Sequence, residues 1–87
     1  MMTKVLFVCM GNICRSPSAE GVFRRMVKDA GLSDVVRIES AGTHAFHIGE
    51  PPDARMQAAA RKRGYDISEI RARQIRVDDF REFDMIL

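Results

Sequence analysis

Cys9 and Arg15, six residues apart, enclose Met10-Gly11-Asn12-Ile13-Cys14, and Ser16-Pro17 follow. Gly11 lets a backbone approach a ligand closely, and Asn12 tolerates the left-handed conformation that curls a loop. A loop curled in this way aims successive N–H groups inward as an anion-binding nest. A helix beginning near Pro17 adds the partial positive charge of its N-terminus. Arg15 can close the ring and grip two phosphoryl oxygens bidentately. The same groups stabilise a thiolate, so they are expected to depress the Cys9 pKa, with Ser16 as a hydrogen-bond donor to sulfur. The chemistry that fits is in-line attack of sulfur on phosphorus, followed by hydrolysis of a cysteinyl-phosphate. Guanidinium and amides would stabilise the equatorial oxygens, with no metal or other cofactor required. The competing reading makes Cys9 a small core hydrophobe and Arg15 a solvated helix-start residue.

The elements around this loop support the first reading. Val5-Leu6-Phe7-Val8 is an uninterrupted apolar run that reads as a strand buried on both faces. Cys9 therefore falls just beyond the carboxyl end of a strand, where open α/β sheets bind ligands. Ser16 offers an N-cap and Pro17 a preset first helical position. Ala19, Val22, Phe23, Met26, Val27 and Ala30 then repeat at helical spacing, with Glu20, Arg24, Arg25 and Lys28 on the other face and Gly31 as the stop. Val35 to Ser40 reads as a second strand, and Asp53 to Arg63 as a helix closed by Gly64. Residues 65–76 are ambiguous. A short helical turn is expected around Asp78 to Glu82, and a third strand begins at Asp84-Met85-Ile86-Leu87. Alternation of strand and helix gives an α/β class with a parallel sheet.

Composition narrows the function classes. The 87 residues are 46% hydrophobic and 30% charged, which suits one small globular domain rather than a disordered chain. Fourteen Lys and Arg against twelve Asp and Glu leave a net charge of +2, too balanced for a polyanion-binding surface. The basic cluster Arg61-Lys62-Arg63 with Arg71, Arg73 and Arg76 is interrupted by Asp66 and Glu69, so it reads as a solvated face and not a nucleic-acid site. No apolar run approaches the roughly 18 residues that suggest a membrane span. Two cysteines are too few for a disulfide scaffold and point to a reducing, cytoplasmic setting. Zinc could in principle recruit Cys9, Cys14, His44 and His47, but the H-x2-H spacing is tight, and free surface histidines are the simpler reading.

Val8-Cys9-Met10-Gly11-Asn12-Ile13-Cys14-Arg15-Ser16-Pro17, followed by Ala19-Glu20, resembles the signature of the low-molecular-weight protein-tyrosine phosphatases. The likeness continues through Ser40-Ala41-Gly42-Thr43, Gly49, Asp53 and Ala72-Arg73-Gln74-Ile75. It implies a three-layer, flavodoxin-like fold with strand order 2-1-3 and a further strand missing, so that residues 1–87 form a single incomplete domain. It implies Cys9 as nucleophile, Met10 to Ser16 as the phosphate-binding loop, Arg15 as its transition-state-stabilising residue and Ser16 as the thiolate's donor. Asn12 would hold the loop's shape with Ser40 as its partner. Phe46 would wall the cleft and stack on the substrate ring, with a core aromatic under a loop as the alternative. Cys14 would pair reversibly with Cys9 under oxidation, or else serve as a buried apolar neighbour. The implied substrates are phosphotyrosine proteins and aryl phosphates, with inorganic phosphate as product or inhibitor.

Two departures stand against that pattern. A histidine that some members carry beside the serine of Ser68-Glu69-Ile70 is here Glu69, and one extra residue precedes Arg73. The family's general acid lies in an Asp-Pro loop, and no Asp-Pro dipeptide occurs in these 87 residues. Asp53, Asp78, Asp79 and Asp84 read as helix caps or surface charges. The expectation is a phosphatase impaired by the missing acid, with a non-catalytic phosphate- or phosphotyrosine-binding remnant as the alternative. A thiol-dependent arsenate reductase shares the loop type but needs more cysteines than the two present.

Overall fold

The computed structural model describes residues 2–87. Strand β1 (Thr3–Cys9) lies at the centre of a three-stranded sheet of order β2-β1-β3, with β2 (Val36–Gly42) on one side and β3 (Met85–Ile86) on the other. Both pairings are parallel. Thr3 faces Val36 and Cys9 faces Gly42 across one ladder, while Val5 faces Met85 across the other. Helices α1 (Arg15–Asp29), α2 (Ala54–Lys62) and α3 (Asp79–Glu82) complete the order β1-α1-β2-α2-α3-β3.

The pleat of β1 sends alternate side chains to two faces. Val5 packs with Val27 of α1 and Ile38 of β2, joined by Phe7 and Val36. Phe7 also meets Phe23 of α1 edge-on, with ring centroids 5.7 Å apart. On the other face Leu6, wholly buried, packs with Ala41 and Phe83, joined by Val8, Ile75 and Ile86. Each fully buried Val, Leu, Ile or Phe among them contributes about 1.5–3 kcal/mol. The first face is covered by a helix and the second only by the segment running from Ile75 to Phe83. Phe7 and Val8 are half-buried, so the strand is less enclosed than its apolar run suggested.

Helix α1 differs from expectation at its start and along one face. Its N-cap is Cys14, with no side-chain cap bond, and Ser16 lies inside the first turn. Ser16 is therefore free of capping duty and turns toward Cys9. Glu20, expected among the solvent-facing charges, is buried at 5% exposure, whereas Phe23, Met26 and Ala30 are exposed. The helix ends as the sequence suggests. Gly31 takes φ +72°, Leu32 N–H donates to the Val27 carbonyl and Gly31 N–H to that of Lys28, a Schellman closure. At α2, Asp53 caps by accepting from the amides of Arg55 and Met56. Residues 65–76 form neither helix nor strand, apart from a bridge between Gln74 and Gly42. They run past the end of β2, where Gly42 N–H donates to the Arg73 carbonyl and Ile75 N–H to that of Gly42. Among the described residues no helix is long and apolar enough to cross a membrane.

Candidate active site

The loop from Cys9 to Ser16 is set by the β1 end and the α1 start. Asn12 adopts φ +58°, the left-handed conformation expected of it, with its side chain 1% exposed. The curl brings the Asn12 amide N–H to within 3.3 Å of Cys9 Sγ, and Ser16 Oγ to 3.0 Å. Outside contacts brace the same curl. Thr43 N–H donates to the Cys9 carbonyl, His44 N–H to that of Met10, and Asp53 N–H to that of Ile13. A Cβ at Gly42 would lie 2.8 Å from the Met10 carbonyl oxygen, so only glycine permits this approach of β2 to the loop.

A polar chain leads inward from sulfur. Asn12 Nδ2 donates to Ser16 Oγ at 2.8 Å and to Ser40 Oγ at 2.9 Å, and Ser40 donates to Glu20 Oε1 at 2.5 Å. Asn12 Oδ1 accepts from the Arg73 amide N–H at 2.9 Å. Because Ser16 Oγ receives a hydrogen from Asn12, its own is available to sulfur; the carbonyl of Ala41 competes only at 3.5 Å.

Burial alone would raise the Cys9 pKa, but hydrogen bonds from Ser16 and from the Asn12 and Gly11 amides outweigh it and hold the thiol below its ordinary value. Cys14 moves the other way, raised by burial and by the charges of Asp53 and Cys9. Both cysteines are free thiols. Glu20 is raised by burial against the pull of Ser40 and Arg24, the latter its ion-pair partner one helical turn on.

Cys9, Met10, Gly11, Ile13, Cys14 and Arg15 line a cavity of about 230 Å³ together with Phe46 and His47. Phe46 is 72% exposed at the mouth, with its ring stacked on His44 at 5.1 Å. It is not the buried core aromatic that its residue type allowed. His47 Nδ1 bonds Glu50 at 2.6 Å. Among the described residues no carboxylate lines this cavity. A larger depression of about 680 Å³, along α1 and β2, is lined by Lys28 and Ser33 but by neither cysteine.

Three groups at the site carry no clear signal of their burial or pairing in the sequence. Asp79, taken for a cap or surface charge, is buried at 1% exposure and receives two hydrogen bonds from Arg73, at 2.9 and 3.1 Å, and one from the Arg76 amide at 2.7 Å. Arg73, counted with a solvated basic face, is held by Asp79 and lies 3.6 Å from Glu39. Glu20 is the third, and one signal for it was available: it lies four residues after Ser16, hence on the same helix face. Nothing local to Asp78-Asp79 distinguishes the buried aspartate from its exposed neighbour. Asp53 and Asp84 bond backbone amides, of α2 and of Lys4 respectively.

Residues 4–87 match the model of the low molecular weight phosphotyrosine protein phosphatase family. The mouse low molecular weight phosphotyrosine protein phosphatase is 55% identical over 83 residues, which are 95% of this chain and 52% of that protein. The crystal structure of YfkJ from Bacillus subtilis superposes with TM-score 0.95 at 43% identity, over 99% of this chain and 54% of that one. A Drosophila arginine phosphatase superposes with TM-score 0.90 at 38% identity, over 97% of this chain and 52% of that one. The chain spans about half the length of the curated relatives it matches. The parallel 2-1-3 sheet, the curled loop with its sulfur-directed donors and these matches lead to one assignment: the chain belongs to the low molecular weight phosphotyrosine protein phosphatase family.

Proposed function

We propose that this chain carries the nucleophile and phosphate-binding half of a protein-tyrosine phosphatase reaction. The observation that carries this reading is the convergence of Ser16 Oγ and the Asn12 N–H on Cys9 Sγ, beside a cavity that Arg15 and Phe46 also line. The thiolate attacks phosphorus in line and the aryl oxygen departs, leaving a cysteinyl-phosphate that water hydrolyses to inorganic phosphate. Arg15 and the amides of Met10 to Ser16 bind the equatorial oxygens, where charge is held as the transition state forms. Phe46 offers an exposed ring face at the mouth, suited to the flat ring of phosphotyrosine. Cys14 serves as the reversible disulfide partner that shields Cys9 from further oxidation.

The leaving group decides how far these residues go alone. Phenolate from a tyrosine needs a proton as it departs, and without an acid the rate falls by about 10²–10⁴. Nitrophenolate needs little protonation. The chain is therefore expected to release nitrophenolate measurably, to act slowly on a phosphotyrosine peptide and to leave alkyl phosphates intact. Assays of these three substrates on the parent and on Cys9→Ser test the reading, with phosphoarginine as a fourth because one structural relative is an arginine phosphatase. Turnover abolished by the substitution supports the enzyme. Phosphate binding with no turnover of any ester favours a binding module, a reading supported by the carboxylate-free cavity.

A further inference from the structure

We propose that two buried carboxylates on separate elements, Glu20 of α1 and Asp79 of α3, act as positioning residues that clamp the side-chain amide of Asn12 from its two ends and thereby deliver the Ser16 hydrogen to Cys9. Neither lines the cavity around Cys9. The inference rests on the reading of Cys9 as nucleophile and adds groups that act on it only through others.

The directions of the hydrogen bonds follow from which atoms can donate. The Arg73 amide carries a hydrogen and can only donate, so the Asn12 atom 2.9 Å from it must be oxygen. That choice turns the Asn12 NH2 toward Ser16 and Ser40. Asp79 maintains it by fixing Arg73: both carboxylate oxygens accept from the guanidinium, and Oδ2 also accepts from the Arg76 amide. The Arg73 backbone is pinned on its other side by Gly42 N–H. At the far end, Ser40 accepts from Asn12 and must place its single hydrogen elsewhere. Glu20 Oε1, 2.5 Å away, takes it. Arg24 holds the other Glu20 oxygen and itself donates to the Ile38 carbonyl, which fixes the carboxylate between α1 and β2. With both Asn12 hydrogens committed, Ser16 keeps its own for sulfur.

Removing either clamp breaks the order. Without the Glu20 acceptor, the buried Ser40 hydrogen has no partner, and Ser40 swings away from Asn12 to find one. Without Asp79, Arg73 loses two of its bonds, and the amide that selects Asn12 Oδ1 is no longer held. In each case Asn12 is freed to turn, and the Ser16 hydrogen is no longer reserved for Cys9. A thiolate that loses a hydrogen-bond donor becomes more basic.

The test reads sulfur directly and needs no turnover. Iodoacetamide alkylation of Cys9 is followed against pH in the 87-residue chain, with peptide mass mapping to separate Cys9 from Cys14. The parent midpoint is expected below the ordinary thiol value of about 8.5, and Asn12→Ala is expected to raise it by about one unit. Glu20→Met and Asp79→Asn are each expected to shift it in the same direction, and neither adds to the shift when combined with Asn12→Ala. Val27→Ala, a core truncation that removes none of these hydrogen bonds, controls for general loosening and should leave the midpoint in place. A parent-like midpoint in either carboxylate variant overturns the proposal. So does additivity with Asn12→Ala, or an equal shift in Val27→Ala. Failure of the phosphatase reading would show separately, as absence of turnover in a parent whose midpoints still follow this pattern.

Discussion

Arg15 begins α1 and lines the same cavity as Cys9, so its planar fork can meet two phosphoryl oxygens at once. A lysine supplies the charge without the fork. Arg15→Lys is therefore expected to lower kcat for nitrophenyl phosphate by about 10²–10³-fold, the loss typical of one transition-state donor. Steady-state kinetics would show it, and an unchanged kcat would mean that another group carries the phosphoryl charge. At this scale much of the site was legible. Cys9, Asn12, Arg15 and Ser16 stand close together in sequence, and their types state their chemistry. Glu20, Arg73 and Asp79 were misread because charged side chains are usually solvated, and only the three-dimensional path between α1, β2 and α3 shows each paired, with Glu20 and Asp79 buried and Arg73 half-buried.

The ends of elements hold the loop. Gly42 closes β2 against the Met10 carbonyl, and an added Cβ would stand 2.8 Å from that oxygen and 3.1 Å from the Gly11 carbonyl carbon. Both obstacles are backbone and cannot rotate away. Gly42→Ala is expected to displace the loop, costing about 1–3 kcal/mol of stability and a larger share of activity than of structure; urea unfolding beside an activity assay separates the two. Asp79 gives a pH signature. Burial raises its carboxyl, but hydrogen bonds from Arg73 and the Arg76 amide prevail and hold it below the usual aspartate range. A depressed carboxyl stabilises the fold above its unfolded value of about 3.9 and loses that contribution as pH falls through the folded value. Asp79→Asn should thus lower the urea midpoint at pH 7, and the gap from the parent should narrow as the pH falls below about 4. A gap as wide at pH 3 as at pH 7 would contradict the assignment. Element types and order were legible from apolar runs and Gly stops. Residues 65–76 were not, because a segment pinned by single bonds to Gly42 and Asn12 has no periodicity to read.

The whole molecule is held by a thin core. Val5, Val27 and Ile38 pack on one face and Leu6, Ala41 and Phe83 on the other, while Val77, Phe80 and Leu87 stay exposed. These 87 residues bury little apolar surface, so ligand binding weighs heavily in their folding balance. Inorganic phosphate at 100 times its Kd is expected to add about 2.7 kcal/mol, raising Tm by on the order of 10 °C. Arg15→Ala should remove most of that gain, and a Tm indifferent to phosphate in the parent would argue against the cradle. If Cys9 is the nucleophile, its sulfur itself takes the phosphoryl group. Rapid mixing with nitrophenyl phosphate, acid quenching and mass mapping of the peptides tests it most directly. A burst of nitrophenolate no larger than the protein concentration is expected, with phosphate found on Cys9 and both signals absent from Cys9→Ser. A burst that survives in Cys9→Ser, or phosphate mapped to any other residue, would contradict it.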